Sequence, residues 1–179
     1  FQDGTPLTSA AVKRVYDEHK ASALTSASVT PIDSVATPDD LTAVFTMKSP
    51  WAVFPNALTG QLGVIPALSM WDAPDKGGRA PVGTGPFAFK EWVPDKQFTA
   101  TKNTSYWRKD ANGVQLPYLD EVDFQPLAET KSRVNGLKGG TVDMMHTNDA
   151  SSIVEIRQLG GAFSREGEVS AYQYAFIFF

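Results

Sequence analysis

The chain has no cysteine and only two histidines in 179 residues. Without thiols there is no disulfide, no cysteine nucleophile and no thiolate metal site, and the redox compartment stays open. No apolar run approaches the roughly 20 residues that a membrane span requires, and no signal peptide is visible. The net charge is −4 with no long block of one sign. That argues against nucleic acid and anionic membrane surfaces as main partners.

The two histidines and the acids near residue 120 offer little chemistry. His19 falls near a helix C-terminus, where an imidazolium would complement the helix dipole. His146 follows Met144 and Met145; a soft-metal site is conceivable there, and a solvated histidine at a strand end is the simpler account. Strand alternation puts Glu121 and Asp123 on one face, close to Asp120. Nothing nearby supplies a nucleophile or an orienting group, and no serine sits in an elbow motif. No catalytic residue, cofactor or metal site is assigned, and a hydrolase using the acids at 120–123 is only an alternative.

What the chain does have is an ordinary globular composition, 42% hydrophobic and 20% charged, with 11 Phe, 5 Tyr and 4 Trp. The length allows one large domain or two small lobes. Its most organised stretch is 82–107. Gly83 and Gly85 permit a sharp corner, and Pro86 can begin a strand without donating a hydrogen bond. Phe87, Phe89 and Glu91 alternate with Ala88, Lys90 and Trp92. Pro94 and Asp95 suit a turn over 93–96. Phe98 and Ala100 then alternate with Gln97, Thr99 and Thr101, as in a half-buried partner strand.

Around this hairpin the chain reads in order. Thr8 is a good N-cap for a helix over 9–20 with Ala11, Val12, Val15 and Tyr16 on one face. Residues 21–30 are small and hydroxyl-rich, either a surface linker or a ligand-facing loop. Strands are expected at 32–37 and 41–48 across a Pro38-Asp39-Asp40 turn, with Leu41, Ala43, Phe45 and Met47 on one face. A short helical turn within 51–58, a glycine-bounded turn at 59–63 and a brief strand at 64–66 follow. Residues 73–81 are the most linker-like. Later come a polar turn at 109–117, a strand at 122–126, a helix at 129–137 stopped by Gly139-Gly140, a strand at 141–145 and a helix at 150–159 stopped by Gly160-Gly161. Phe163 and residues 169–179 supply the last strands. Alternating strands and helices make the second half α/β. The chain opens at Phe1 without Met and closes on a bare apolar strand that would expose an edge. A piece of a longer chain is expected.

Several landmarks taken together are more specific. Phe1-Gln2-Asp3-Gly4-Thr5-Pro6-Leu7-Thr8 resembles the Phe-x-Asp-Gly-x-Pro-Phe-Thr stretch of the family 5 extracellular solute-binding proteins, the peptide- and nickel-type receptors of ABC importers. Gly83-Thr84-Gly85-Pro86-Phe87, Lys90-Glu91-Trp92, Pro94, Asn103, Tyr106 and Trp107 resemble that family's Gly-Thr-Gly-Pro-Tyr hairpin and Arg-Asn-Pro-x-Tyr-Trp ending. Tyr118-Leu119-Asp120-Glu121-Val122, Arg133, Leu137 and Gly139-Gly140-Thr141-Val142-Asp143 are similar to downstream marks. Leu7, Thr104 and Thr141 depart from the pattern, and the 21–30 loop is shortened.

The resemblance implies an α/β fold: a type II, periplasmic-binding-protein-like clamshell, here a mixed-sheet lobe with a smaller inserted α+β subdomain and no second lobe. Residues 1–81 would be the inserted subdomain and 82–179 the large one, ending at the hinge-crossing strand. It implies a receptor outside the cytoplasmic membrane that hands an oligopeptide, dipeptide, nickel chelate or sugar to ABC permease subunits. Any membrane association would come through a lipid anchor outside this segment. A sensor or scavenger of the same fold is the alternative. The loops at 21–30 and 59–63 would look into the cleft, and side-chain chemistry picks Thr25, Ser26 and Gln61 as candidate hydrogen-bonding contacts. Gly83, Thr84, Gly85, Trp92, Tyr106 and Trp107 are expected to serve corner geometry and aromatic packing.

Overall fold

Alanine and valine at helical spacing make the first element. Helix α1 (Ser9–Ala21) buries Ala11, Val15 and Tyr16 on one stripe, and Lys13–Asp17 and Arg14–Glu18 pair along its solvent side. The computed structural model describes residues 1–75, 77–158, 164–168 and 174–178. These form two compact units, Phe1–Phe124 and Gln125–Phe179.

Thr8 occupies the N-cap position of α1 but makes no side-chain cap bond. The helix start is tied down instead by Ser9, whose hydroxyl donates to the Asp39 carbonyl at 2.6 Å and whose N–H donates to Asp40 at 2.8 Å. Those carbonyls belong to the turn between β1 (Ile32–Asp39) and β2 (Thr42–Met47), an antiparallel pair with Val35 opposite Phe45. Ala43, Phe45 and Met47 turn inward as expected, whereas Leu41 is 92% exposed in the turn. The first core gathers Tyr16, Val29, Ile32, Val35 and Leu62, with Phe45, Trp51 and Phe54 packed against it. Each large side chain removed from water there contributes about 1.5–3 kcal/mol.

Short helices fill the connection: α2 (Ser26–Val29), α3 (Phe54–Ala57), a 3₁₀ turn at Gln61–Gly63 and α4 (Leu68–Asp72). The strand expected at 64–66 does not form. Those residues lie outside every described strand, and Val64 is 63% exposed, so the apolar run finds no pairing partner. Helix α4 was not expected from the sequence.

The hairpin forms as β3 (Phe87–Val93) and β4 (Gln97–Lys102), closed by Lys96 N–H bonding to the Val93 carbonyl at 3.1 Å. Asp95 takes a positive φ of 60° in the turn, a conformation that Asp tolerates. β5 (Glu121–Phe124) pairs on the other side of β4. One expectation fails here. Register slips between Phe89 and Glu91, and a bulge of that kind gives one strand an extra residue. Trp92 therefore lies opposite Phe98, which in turn faces Phe124. It joins the Phe89–Phe98–Phe124 row, whose successive rings are 5.7 and 6.1 Å apart, rather than sharing a face with Lys90. The simple alternation expected for β4 also breaks, because both Thr99 and Ala100 are buried.

The corner before β3 is clasped by the chain start. Gln2 donates through its side-chain nitrogen to the carbonyls of Gly85 at 3.1 Å and Phe87 at 2.8 Å, and its side-chain oxygen accepts from Gly83 N–H at 3.2 Å.

In the second unit, α5 (Thr130–Lys138) ends as the glycines dictate. Gly140 has φ 69°, its N–H bonds to Leu137 at 3.2 Å, and Thr141 N–H bonds to Gly136 at 2.9 Å. That double closure is the Schellman pattern. β6 is Met145–Thr147, later than the expected 141–145, and α6 is Ala150–Gln158. Val134, Leu137, Met145 and Ile156 form this unit's core. β7 (Ser164–Glu168) and β8 (Tyr174–Phe178) complete an antiparallel sheet ordered β6-β8-β7. β8 is thus paired on both sides, contrary to the exposed edge expected of it. The glycine stop at 160–161 and Phe163 lie outside the described residues, as do 169–173 and Phe179.

Candidate functional site

Both loops picked out from the sequence are fastened to α1. The first leaves the helix at Ser22, runs through α2 and returns to the core at Val29, which is buried. Thr25 sits just before α2. Its Oγ1 lies 3.0 Å from His19 Nδ1 and 3.3 Å from the His19 carbonyl. Ser26 is half-buried at the first residue of α2, with its N–H on the Ser22 carbonyl at 3.0 Å. The short helix α2 makes a folded turn of part of this hydroxyl-rich stretch.

The second loop wraps from α3 into the 3₁₀ turn. Gly63 is required there, because a Cβ would come within 1.8 Å of the Leu58 carbonyl oxygen. Gln61 is exposed beside buried Leu62, and the Leu62 carbonyl accepts the Tyr16 hydroxyl at 3.0 Å. Tyr16 and His19 stand three residues apart on α1, edge to face with ring centroids 6.1 Å apart. The structure therefore ties Thr25 and the Gln61–Gly63 turn to neighbouring positions of one helix. Ser26 follows through the chain.

Burial pushes the Tyr16 hydroxyl up and the His19 imidazole down from their ordinary values. The lowered value favours neutral His19 rather than the imidazolium expected at a helix end. Tyr16 as an anchor is missed from the sequence, although a tyrosine on a buried helix face usually finds a partner for its hydroxyl.

The acids of β5 do not converge. Glu121 pairs with Lys90 at 2.5 Å, Asp123 accepts the Thr99 hydroxyl at 2.5 Å, and Asp120 lies 3.9 Å from Lys102. Each is held by its own partner on β3 or β4, and the Glu121 bond raises the Lys90 pKa. Met145 is committed to the second core while His146, next along β6, is exposed. No group of three or more His, Asp or Glu among the described residues is arranged to hold a metal ion. Of the residues assigned to aromatic packing, Trp107 is 75% exposed with its ring 5.7 Å from Tyr106.

The chain matches the bacterial extracellular solute-binding proteins, family 5 Middle, over residues 1–178. It is 30% identical over 144 residues to the glutathione-binding protein GsiB of Pectobacterium atrosepticum, covering 78% of this chain and 27% of that protein. To a putative ABC transporter peptide-binding protein of Brucella ovis it is 27% identical over 164 residues, covering 85% of this chain and 30% of that one. Among solved structures it resembles the binding protein AgaA in complex with agropinic acid from A. tumefaciens R10, with a TM-score of 0.77 at 26% identity over 93% of this chain and 34% of that one. A nickel ABC transporter from Bacillus halodurans shares the fold, with a TM-score of 0.75 at 24% identity over 93% of this chain and 33% of that one. The chain thus spans 27–30% of the length of these two curated relatives. With its periplasmic-binding-protein fold and a family match over residues 1–178, the chain belongs to the bacterial extracellular solute-binding proteins, family 5.

Proposed function

We propose that this chain is part of the substrate-binding component of an ABC import system, which captures a peptide or similar solute outside the cytoplasmic membrane and delivers it to permease subunits. The observation that carries this reading is the family match over residues 1–178. The relatives' names supply the candidate solutes: glutathione, peptides, nickel complexes and agropinic acid. The whole protein would work by lobe closure, the solute biasing an open–closed equilibrium by touching both sides of a cleft. Within it, residues 1–81 would be the smaller inserted subdomain and 82–179 much of the larger one. Thr25, Ser26 and Gln61 are the proposed hydrogen-bonding contacts on this side. Since the Thr25 hydroxyl already bonds to His19, Ser26 and exposed Gln61 have more freedom to reach a solute. A lipid anchor outside this segment would account for membrane association.

Calorimetry on the complete gene product tests the reading. The panel takes ligands named for relatives and for structures of the same fold: glutathione, the tetrapeptide Ser-Thr-Ser-Ala, nickel bis-histidine and agropinic acid. Saturable binding of one of them supports capture, and silence toward all four counts against these solute classes. Genes for permease and ATPase subunits beside the coding sequence would favour import over a free-standing sensor.

A further inference from the structure

We infer that Tyr16 and His19 are positioning residues that pin the 59–63 and 21–30 loops to one face of α1. The pinning stands on geometry; its bearing on solute rests on the proposal above that these loops face the cleft.

Tyr16 is 2% exposed yet carries a polar tip. Its ring packs edge-on against Phe45 at 4.7 Å, which fixes where the hydroxyl points. The 3₁₀ turn's own bonds run from Gly63 N–H to Gly60 and from Val64 N–H to Gln61. The next carbonyl, that of Leu62, accepts from Tyr16, 46 residues away in sequence.

The His19 contact selects a tautomer. The Thr25 hydroxyl has one proton and two acceptors within reach, His19 Nδ1 at 3.0 Å and the His19 carbonyl at 3.3 Å. If the proton goes to Nδ1, the carbonyl bond is lost. If Nδ1 carries its own hydrogen, it donates to Thr25 Oγ1 while the hydroxyl donates to the carbonyl, and both bonds form. The second arrangement also gives the His19 carbonyl, which accepts the Ser22 N–H at 3.3 Å, a second donor at the end of α1. An imidazolium carries the same Nδ1–H, so acidification leaves the latch intact. Ionisable groups on the elements packed against this part of α1 are few. β1 carries Asp33 and Asp39, while α2 and β2 carry none. On α1 itself Glu18 and Lys20 flank the histidine, and Lys20 Nζ donates to the Asp33 carbonyl at 2.7 Å.

The test uses the complete gene product with Tyr16→Phe, His19→Asn and His19→Gln. An asparagine side-chain nitrogen falls near the position of Nδ1, whereas that of glutamine reaches toward Nε2, so only His19→Asn replaces the donor. Amide hydrogen exchange should accelerate about two- to tenfold at Gly63 and Val64 in Tyr16→Phe, the range set by one net hydrogen bond. It should accelerate similarly at Ser26 and Ser28 in His19→Gln and stay near wild type in His19→Asn. Unchanged loop exchange, uniform acceleration across β1 and β2, or equal behaviour of the two histidine variants would overturn the pinning. Calorimetry of the same variants with the binder found among the four probes separates the two ideas. A weaker affinity that tracks loop exchange supports both. Loosened loops with unchanged affinity keep the pinning and remove the solute-facing reading, and if no probe binds, loop exchange alone decides the pinning.

Discussion

One substitution can break the clasp at the chain start. Gln2→Ala deletes three side-chain hydrogen bonds, to Gly83, Gly85 and Phe87, and leaves the backbone bond from Gln2 N–H to the Gly83 carbonyl at 2.9 Å. A net intramolecular bond contributes about 0.5–1.5 kcal/mol. The site is half-buried, so the lower part of that range applies, and the expected loss is about 1.5–3 kcal/mol. Asn103 makes the sharper test, because its side-chain nitrogen also donates to the Gly85 carbonyl, at 3.0 Å. Either single variant leaves that carbonyl one side-chain donor; the double variant strips it of both. The pair should therefore be non-additive, the double loss exceeding the sum of the single losses by about 0.5–1 kcal/mol. Urea unfolding of the four proteins in the cycle gives these values, and amide exchange in β3 and β4 locates the damage. A Gln2→Ala loss below about 0.5 kcal/mol, the scatter of neutral surface changes, or strict additivity with Asn103→Ala would refute the clasp.

Three further outcomes are expected. Gly140→Ala forces a side chain into the left-handed region at φ 69° and should cost about 1–2 kcal/mol in urea unfolding, with no comparable loss for an exposed alanine change elsewhere on α5. The Asp149 carboxyl, held at about 2 by the hydroxyls of Ser151 and then Ser152, sits below its unfolded value of about 3.9. Its contribution is complete above about pH 4 and lost as pH falls through 2, so Asp149→Asn should flatten that part of the stability curve. Asp3, also held at about 2 by bonds from Ser69 and then Thr5, keeps part of the slope, and an unaltered curve would discredit the contribution assigned to Asp149. Finally, if the proposed closure mechanism holds and residues 1–179 form one side of the cleft, they should bind the solute weakly or not at all when alone, for want of bridging contacts. Tight binding of that piece in calorimetry would contradict the closure mechanism.

Local periodicity made α1, the β1–β2 pair and the β3–β4 hairpin readable from residues alone, because in each enough of the apolar spacing follows one period, even though the pairing slips within both hairpins. The bulge at Lys90–Glu91 was hidden: it is a choice of register against β4, and no residue in β3 announces it. The strand expected at 64–66 failed for the complementary reason, since β-branched composition does not supply a neighbour to pair with. Helix α4 has five residues and no side-chain cap, too little pattern to notice. For the candidate site, hydroxyl-rich composition pointed to Thr25, Ser26 and Gln61. It could not show that Thr25 is already bonded to His19 or that Tyr16 reaches Leu62. Both facts depend on where distant backbone comes to rest. The family landmarks, by contrast, were legible because they recur as spaced motifs rather than as periods.

The extra residue in β3 sorts the two surfaces of its sheet by chemistry. Upstream and downstream of the slip, carbon-rich rings from Phe89 to Trp92 end up together, while Lys90 with Glu121 and Thr99 with Asp123 stay on the opposite side. Removing the Lys90 codon would leave Phe89, Glu91 and Trp92 in plain alternation against Ala100, Thr99 and Phe98, so the rings stay together and the pair with Glu121 is lost. A deletion should be tolerated better at this extra residue than at Phe87 or Ala88, where the pairing is regular and losing one residue turns the side chains on one side of the gap to the other face.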